Sequence, residues 1–138
     1  MKKGGGTVKF KHIYSMIIII VILLTICIGG FLAIRYIQNS AVGVDQNFQD
    51  VIKDVNGKDW ASAGTKANIL KDRWHDIRLK WSYMVDHKKL DPIDDSIEKL
   101  GIYIDEHNKT LALSETYLAK HQLGHLVDGE FIRPGNIF

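Results

Sequence analysis

The chain has 138 residues, 46% of them hydrophobic and 25% charged, with one Cys and a formal net charge of +2. That length allows one small folded domain, and one Cys cannot pair within the chain, so a disulfide scaffold is excluded. The apolar fraction excludes a wholly disordered chain, and so small a net charge gives no argument for nucleic acid.

The first element in chain order is a long apolar run. Lys2, Lys3, Lys9 and Lys11 precede it, with no Asp or Glu among them. From Ile13 to Ile34 there are 22 residues without a charge, fourteen of them Ile, Leu, Val or Phe. A helix of that length rises about 33 Å, close to the ~30 Å hydrocarbon core of a bilayer. Its insertion is favoured by roughly 4–8 kcal/mol before Gly, Ser and Thr are counted. After it come fourteen Lys/Arg and sixteen Asp/Glu. The positive-inside rule then predicts residues 1–12 in the cytoplasm, 13–36 across the cell membrane and the remainder outside, a single-pass topology. Arg35 is the one contrary charge, and its side chain can snorkel to the far interface.

Two other fates for this run fit its sequence less well. A cleaved signal peptide needs a shorter apolar core followed by small residues, whereas here Phe31, Leu32 and Ile34 extend the run. A lipoprotein signal would use Cys27, but Ile26 stands where a small residue is needed. A permanent anchor is the expectation. Gly29 and Ala33 form a small-residue pair that would let another helix approach.

Beyond the run, apolar residues keep a helical rhythm almost throughout. Ile37, Ala41, Val44, Phe48, Val51 and Val55 are spaced four and three apart. The membrane helix is therefore able to continue into the aqueous part, with Gly43 as its weak point at ~1 kcal/mol against Ala. Asn56-Gly57 is a helix stop, and Asp59 an N-cap. From Asp59 to Val85 a seam of Trp60, Ala63, Ala67, Leu70, Trp74, Ile77, Trp81 and Met84 predicts a long helix with one buried face. Asp91 with Pro92 reads as the cap and first residue of the next helix, whose inner face is Ile93, Ile97, Leu100 and Ile104. A turn at Glu106–Lys109 leads to a last helix from about Thr110 to Leu126. Leu111, Tyr117, Leu118 and one of His121 or His125 are expected to face inward. Residues 127–138 should be irregular, with Phe131, Ile132, Ile137 and Phe138 able to pack back.

No stretch alternates with period two for long enough to make a strand, and the links are short. The fold class is all-α: an N-terminal transmembrane helix, then an antiparallel bundle or helical sheet of about four helices over residues 37–126.

Candidate chemistry is sparse. His121 and His125, at i and i+4, share a helix face and could ligate a metal. Gln122 occupies the place where a zinc protease carries its general base, and a third ligand would have to come from His107, Asp128 or Glu130. The favoured reading is two histidines near a helix end. Asp72, His75 and Asp76 lie on one exposed face, the usual pattern of helix-stabilising pairs. Asp86-His87 at a turn reads as a cap, with Asp86 accepting backbone N–H groups. Trp60, Trp74 and Trp81 read as core layers rather than a binding cage, with Ala63 and Ala67 as small neighbours.

The order Asp59-Trp60, Trp74, Trp81, Val85-Asp86-His87, Leu90-Asp91 and Ile93, closing on Asn136-Ile137-Phe138, resembles the domain-of-unknown-function family 4363. The resemblance implies a small single-pass membrane protein of spore-forming Gram-positive bacteria. It implies no catalytic residue, because the family has no established activity. Its members often lie beside genes for another integral membrane family, which implies a membrane partner. The glycine-rich N-terminus and Gly124-His125 depart from the pattern.

The functional expectation is a non-enzymatic, membrane-anchored interaction or scaffold module without a cofactor. It would touch the bilayer through 13–36 and bind another membrane or envelope protein, or itself, but no nucleic acid. Trp60, Trp74, Trp81, Asp86, His87 and Asp91 would be its structural and interaction residues. The alternative is a ligand- or metal-binding ectodomain that works with a separate signalling or transport partner.

Overall fold

The computed structural model describes residues 6–130. Among them the regular structure is entirely helical: α1 (Gly6–Gly57), α2 (Trp60–Trp81), α3 (His87–Asp105) and α4 (Lys109–Glu130). By their internal contacts the residues form two units, divided between Tyr36 and Ile37, and α1 supplies residues to both.

In the first unit, every large apolar side chain from Ile13 to Leu32 is at least 49% exposed. The chain buries none of this segment, whose 18-residue apolar window has a mean hydropathy of 3.2. By length and composition α1 can therefore cross a membrane. Thr25 Oγ1 returns its proton to Val21 O at 2.8 Å, so the hydroxyl is satisfied within the helix. The Arg35 guanidinium lies 5.9 Å from the Phe31 ring centroid.

The second unit is a helical bundle with one core. Ile37, Ala41, Val44, Phe48, Val51 and Val55 are all buried, as their spacing predicts. Opposite them lie Ala63, Ala67, Leu70, Trp74, Ile77 and Trp81 of α2, and then Leu90, Ile93, Ile97, Leu100 and Ile104 of α3. Polar pairs link the helices. From α1 to α2, Trp81 Nε1 donates to Ser40 Oγ at 3.1 Å, Arg73 to Asn47 Oδ1 at 2.6 Å and to Gly43 O at 3.1 Å, and Lys66 pairs with Asp54 at 3.0 Å. Lys71 joins Glu98 between α2 and α3 at 2.9 Å, and Lys120 joins Asp45 between α4 and α1 at 2.8 Å.

Two of the three links share one construction. At the end of α1, Lys58 N–H bonds Val55 O and Asp59 N–H bonds Asp54 O. At the end of α3, His107 N–H bonds Ile104 O and Asn108 N–H bonds Tyr103 O. Both are Schellman closures, with the left-handed residue at Lys58 (φ 58°) and His107 (φ 53°). The next residue is already the N-cap of the following helix: Asp59 accepts from Ser62 N–H at 3.1 Å and Asn108 from Leu111 N–H at 3.1 Å. The left-handed residue is thus Lys58, not the expected Gly57. Gly57 is taken into the last turn of α1, and its successor carries the reversal.

Five further expectations are corrected. α2 ends at Trp81 rather than Val85, and Ser82 caps it with its N–H on Arg78 O. Val85 stays buried, but Met84 turns out to solvent. α3 begins at His87, not Pro92, because Asp86 supplies the cap by accepting Lys88 N–H at 3.0 Å. Pro92 then falls within the helix on its exposed side, where the missing donor costs one ladder bond at the second turn. On α4 the inner face is Ala112, Thr116, Ala119, Leu123 and Leu126, while Leu111, Tyr117, Leu118, His121 and His125 are exposed. Small inner residues let α4 sit close against its neighbour α3. The helix also continues past Leu126 to Glu130, because Val127 still packs on the core. Residues 131–138, with the expected packing of Phe131, Ile132, Ile137 and Phe138, lie outside the described residues.

Candidate functional site

Three places hold the residues singled out from the sequence. The first is the α2–α3 seam. Trp74 and Trp81, one heptad apart on α2, are buried and meet edge to face with centroids 5.8 Å apart. A buried indole N–H needs an acceptor. Trp81 finds Ser40, and Trp74 donates to Asp94 Oδ1 on α3. The same Asp94 meets Arg78, which also pairs with Asp91 at 2.7 Å. Asp91 is therefore an ion-pair partner on the bundle surface rather than a helix cap. Asp94 was missed from the sequence. The signal available was only indirect, namely that a buried Trp must bond something polar on the facing helix.

A shallow hollow of about 260 Å³ opens beside this seam, lined in part by Asp72, His75, Arg78 and Asp94. Arg78 pairs with Asp94 and Lys71 with Glu98 along its lining. Asp72, His75 and Asp76 are exposed on α2, as a solvated helix face would be.

The second place joins the links that end α1 and α3. Trp60, half-buried at the start of α2, stacks on His107 with centroids 5.0 Å apart and an interplanar angle of 21°. Lys109 Nζ reaches Asn56 O at 3.2 Å across the same end. Nearby, Asp54 accepts from Ser62 Oγ at 2.5 Å and from Lys66. The Ser62 hydroxyl first, then Lys66, hold the Asp54 carboxyl below its ordinary value, and Asp54 in turn raises the Lys66 ammonium above its own.

The third place is the outer side of α4. The rings of His121 and His125 lie 4.3 Å apart at 79° over a groove of about 540 Å³ that Tyr117, Lys120 and Asp128 also line. No group of three or more His, Cys, Asp or Glu converges on one point among the described residues. The structure thus brings the two histidines together but gives them no third ligand among those residues. Asp86 and His87 open α3 at the turn after α2, Asp86 as its cap and His87 exposed.

These features define a class: a small α-helical protein with an apolar first helix and a helical bundle whose helices are joined by polar contacts. Residues 31–137 match the family described as Domain of unknown function (DUF4363), and the chain belongs to that family. The match takes in all three Trp and every link of the bundle, and it starts inside the apolar run. No curated protein and no solved structure matches the chain.

Proposed function

We propose that the protein is a membrane-anchored interaction module, not an enzyme. Residues 13–36 cross the cell membrane with the N-terminus inside, and the bundle stands outside as an antiparallel array that binds another membrane or envelope protein, or a second copy. One observation carries the reading: the chain covers none of its longest apolar segment, while the bundle completes its core without it. The order of contacts between α1 and α2, from Ser40–Trp81 through Asn47–Arg73 to Asp54–Lys66, supports the antiparallel arrangement, since one number rises as the other falls. Exposed Leu111, Tyr117 and Leu118 on α4 support a partner, because the core does not account for them.

Protease protection tests the topology. In intact cells an external protease should cut within the bundle's links and leave the N-terminal segment with the membrane. A full-length chain recovered in the soluble fraction would overturn the anchor. A photo-crosslinking residue at Leu118 in the native membrane should capture one defined protein, or a second copy, and no adduct would count against the interaction role.

A second reading, a metal-binding ectodomain, draws on the histidine pair. With metal–nitrogen bonds of about 2.1 Å, two imidazoles at ~90° on one cation have centroids ~4.5 Å apart, and the observed spacing is 4.3 Å. Titration with Ni²⁺ or Cu²⁺ should show binding that His121→Ala abolishes. Equal binding by the variant would end that reading.

A further inference from the structure

The link between α2 and α3 differs from the other two. It is longer, Ser82–Asp86, and it exposes apolar side chains instead of closing on the core. Tyr83 is 89% exposed, Met84 42%, and Leu79 in the last turn of α2 51%. Only Val85 of this turn contributes to the core. Lys80, Lys88 and Lys89 flank it, all exposed. Asp86, the last residue of the turn, caps α3 by accepting the Lys88 N–H, and Asp91 pairs with Arg78. The turn is therefore aromatic and apolar at its tip and basic at its edges.

Its place along the chain gives this composition a meaning. Trp81, the residue before the turn, is hydrogen-bonded to Ser40. Ser40 is four residues from Tyr36, where the segment read above as membrane-spanning ends. Four residues reach at most about 14 Å even when fully extended, and the headgroup layer on each side of the hydrocarbon is roughly 5–8 Å deep. Whatever angle the bundle takes, Trp81 is held within a short distance of the headgroups. A surface tethered there needs little intrinsic affinity to stay bound, because its effective concentration is high.

We propose that the Ser82–Asp86 turn is a membrane-contact element whose occupant is the anionic bilayer crossed by the chain's own N-terminal segment. Tyr83 and Met84 seat at the boundary between headgroups and acyl chains, where an amphipathic aromatic ring is favoured. Lys80, Lys88 and Lys89 meet lipid phosphates, so the contact strengthens with anionic lipid. The inference rests on the membrane reading of residues 13–36.

Depth measurement by spin label tests it on the full chain. Cys27→Ala removes the native thiol, and a label is placed by Tyr83→Cys or, as reference, by Glu106→Cys in the turn at the far end of α3. The chain is reconstituted in vesicles of phosphatidylcholine with or without phosphatidylglycerol, and collisions with oxygen and with a water-soluble nickel chelate are compared. Immersion at the interface should raise the oxygen-to-nickel ratio at 83 at least about threefold over that at 106 in anionic vesicles. Lys88→Glu with Lys89→Glu should lower the ratio at 83 in anionic vesicles and leave it unchanged in neutral ones. Equal ratios at 83 and 106 in anionic vesicles would overturn the contact. An unchanged ratio after charge reversal would overturn its phosphate component. If the chain does not float with vesicles at all, the membrane reading itself has failed, a result separable from the others.

Discussion

Trp60 and His107 stack ring on ring at 5.0 Å, although 47 positions separate them in sequence. Each is anchored at the start or end of a helix, and His107 is itself the left-handed residue that closes α3. The pair fastens the two sharp links to each other. Trp60→Ala should cost about 2 kcal/mol, less than a fully buried Trp because the ring is half exposed. Thermal unfolding of the full chain in detergent, followed by circular dichroism, would show the drop.

Asp94 serves two partners, the Trp74 indole and Arg78. Trp74→Phe removes the donor with its acceptor still engaged by Arg78, and should cost about 1–2 kcal/mol. Asp94→Ala leaves a buried indole N–H without an acceptor and takes from the half-buried Arg78 guanidinium one of its two carboxylate partners, so a larger loss of about 2–4 kcal/mol is expected. The order of the two variants in a denaturant titration is the test. Equal losses would show that Asp94 is not the shared acceptor.

Glycine exchanges should run in opposite directions at two sites. A Cβ at Gly43 would meet the Arg73 guanidinium at 3.6 Å, ordinary contact, and Gly43 sits inside α1 without positive φ. Gly43→Ala should therefore stabilise the bundle by up to about 1 kcal/mol. Lys58 occupies a left-handed position at the surface, so Lys58→Gly should stabilise by about 1 kcal/mol. Melting temperatures of the two variants report both.

The Asp54–Ser62–Lys66 cluster sets limits in pH. Asp54 is depressed from its ordinary 3.8, so its contribution is complete above that value and lost as pH falls from there through the lower folded value. Lys66 is raised from 10.5, so its contribution is complete below that value and lost as pH rises through the higher folded value. Stability from this cluster should be flat between the two limits. Asp54→Asn should shallow the acid limb of a melting temperature against pH curve, and an unchanged limb would exclude the carboxylate.

The faces of α1, α2 and α3 were legible because large apolar residues recur on them at heptad spacing, as in Val44, Phe48, Val51 and Val55. α4 was read on the wrong face for the same reason. Leu111, Tyr117 and Leu118 point outward, and the small Ala112, Thr116 and Ala119 lie inside with Leu123 and Leu126. Asp59 was found as a cap because it follows a stop signal. Pro92 marks a helix start and so points to Asp91 as the cap, yet Asp86 bonds the turn and α3 accepts Pro92 in its second turn. Asp94 left only an indirect sign in the sequence, since an acceptor for a distant indole has no periodicity.

The two Schellman links have a consequence for how the chain reaches this form. Each reverses direction with no spare residue, so α1 meets α2, and α3 meets α4, through neighbours that are close in sequence. Such topologies fold fast, on the scale of microseconds to milliseconds. Each hairpin can close as soon as its second helix has been synthesised, which shortens the time its apolar faces stand open to aggregation or to proteolysis.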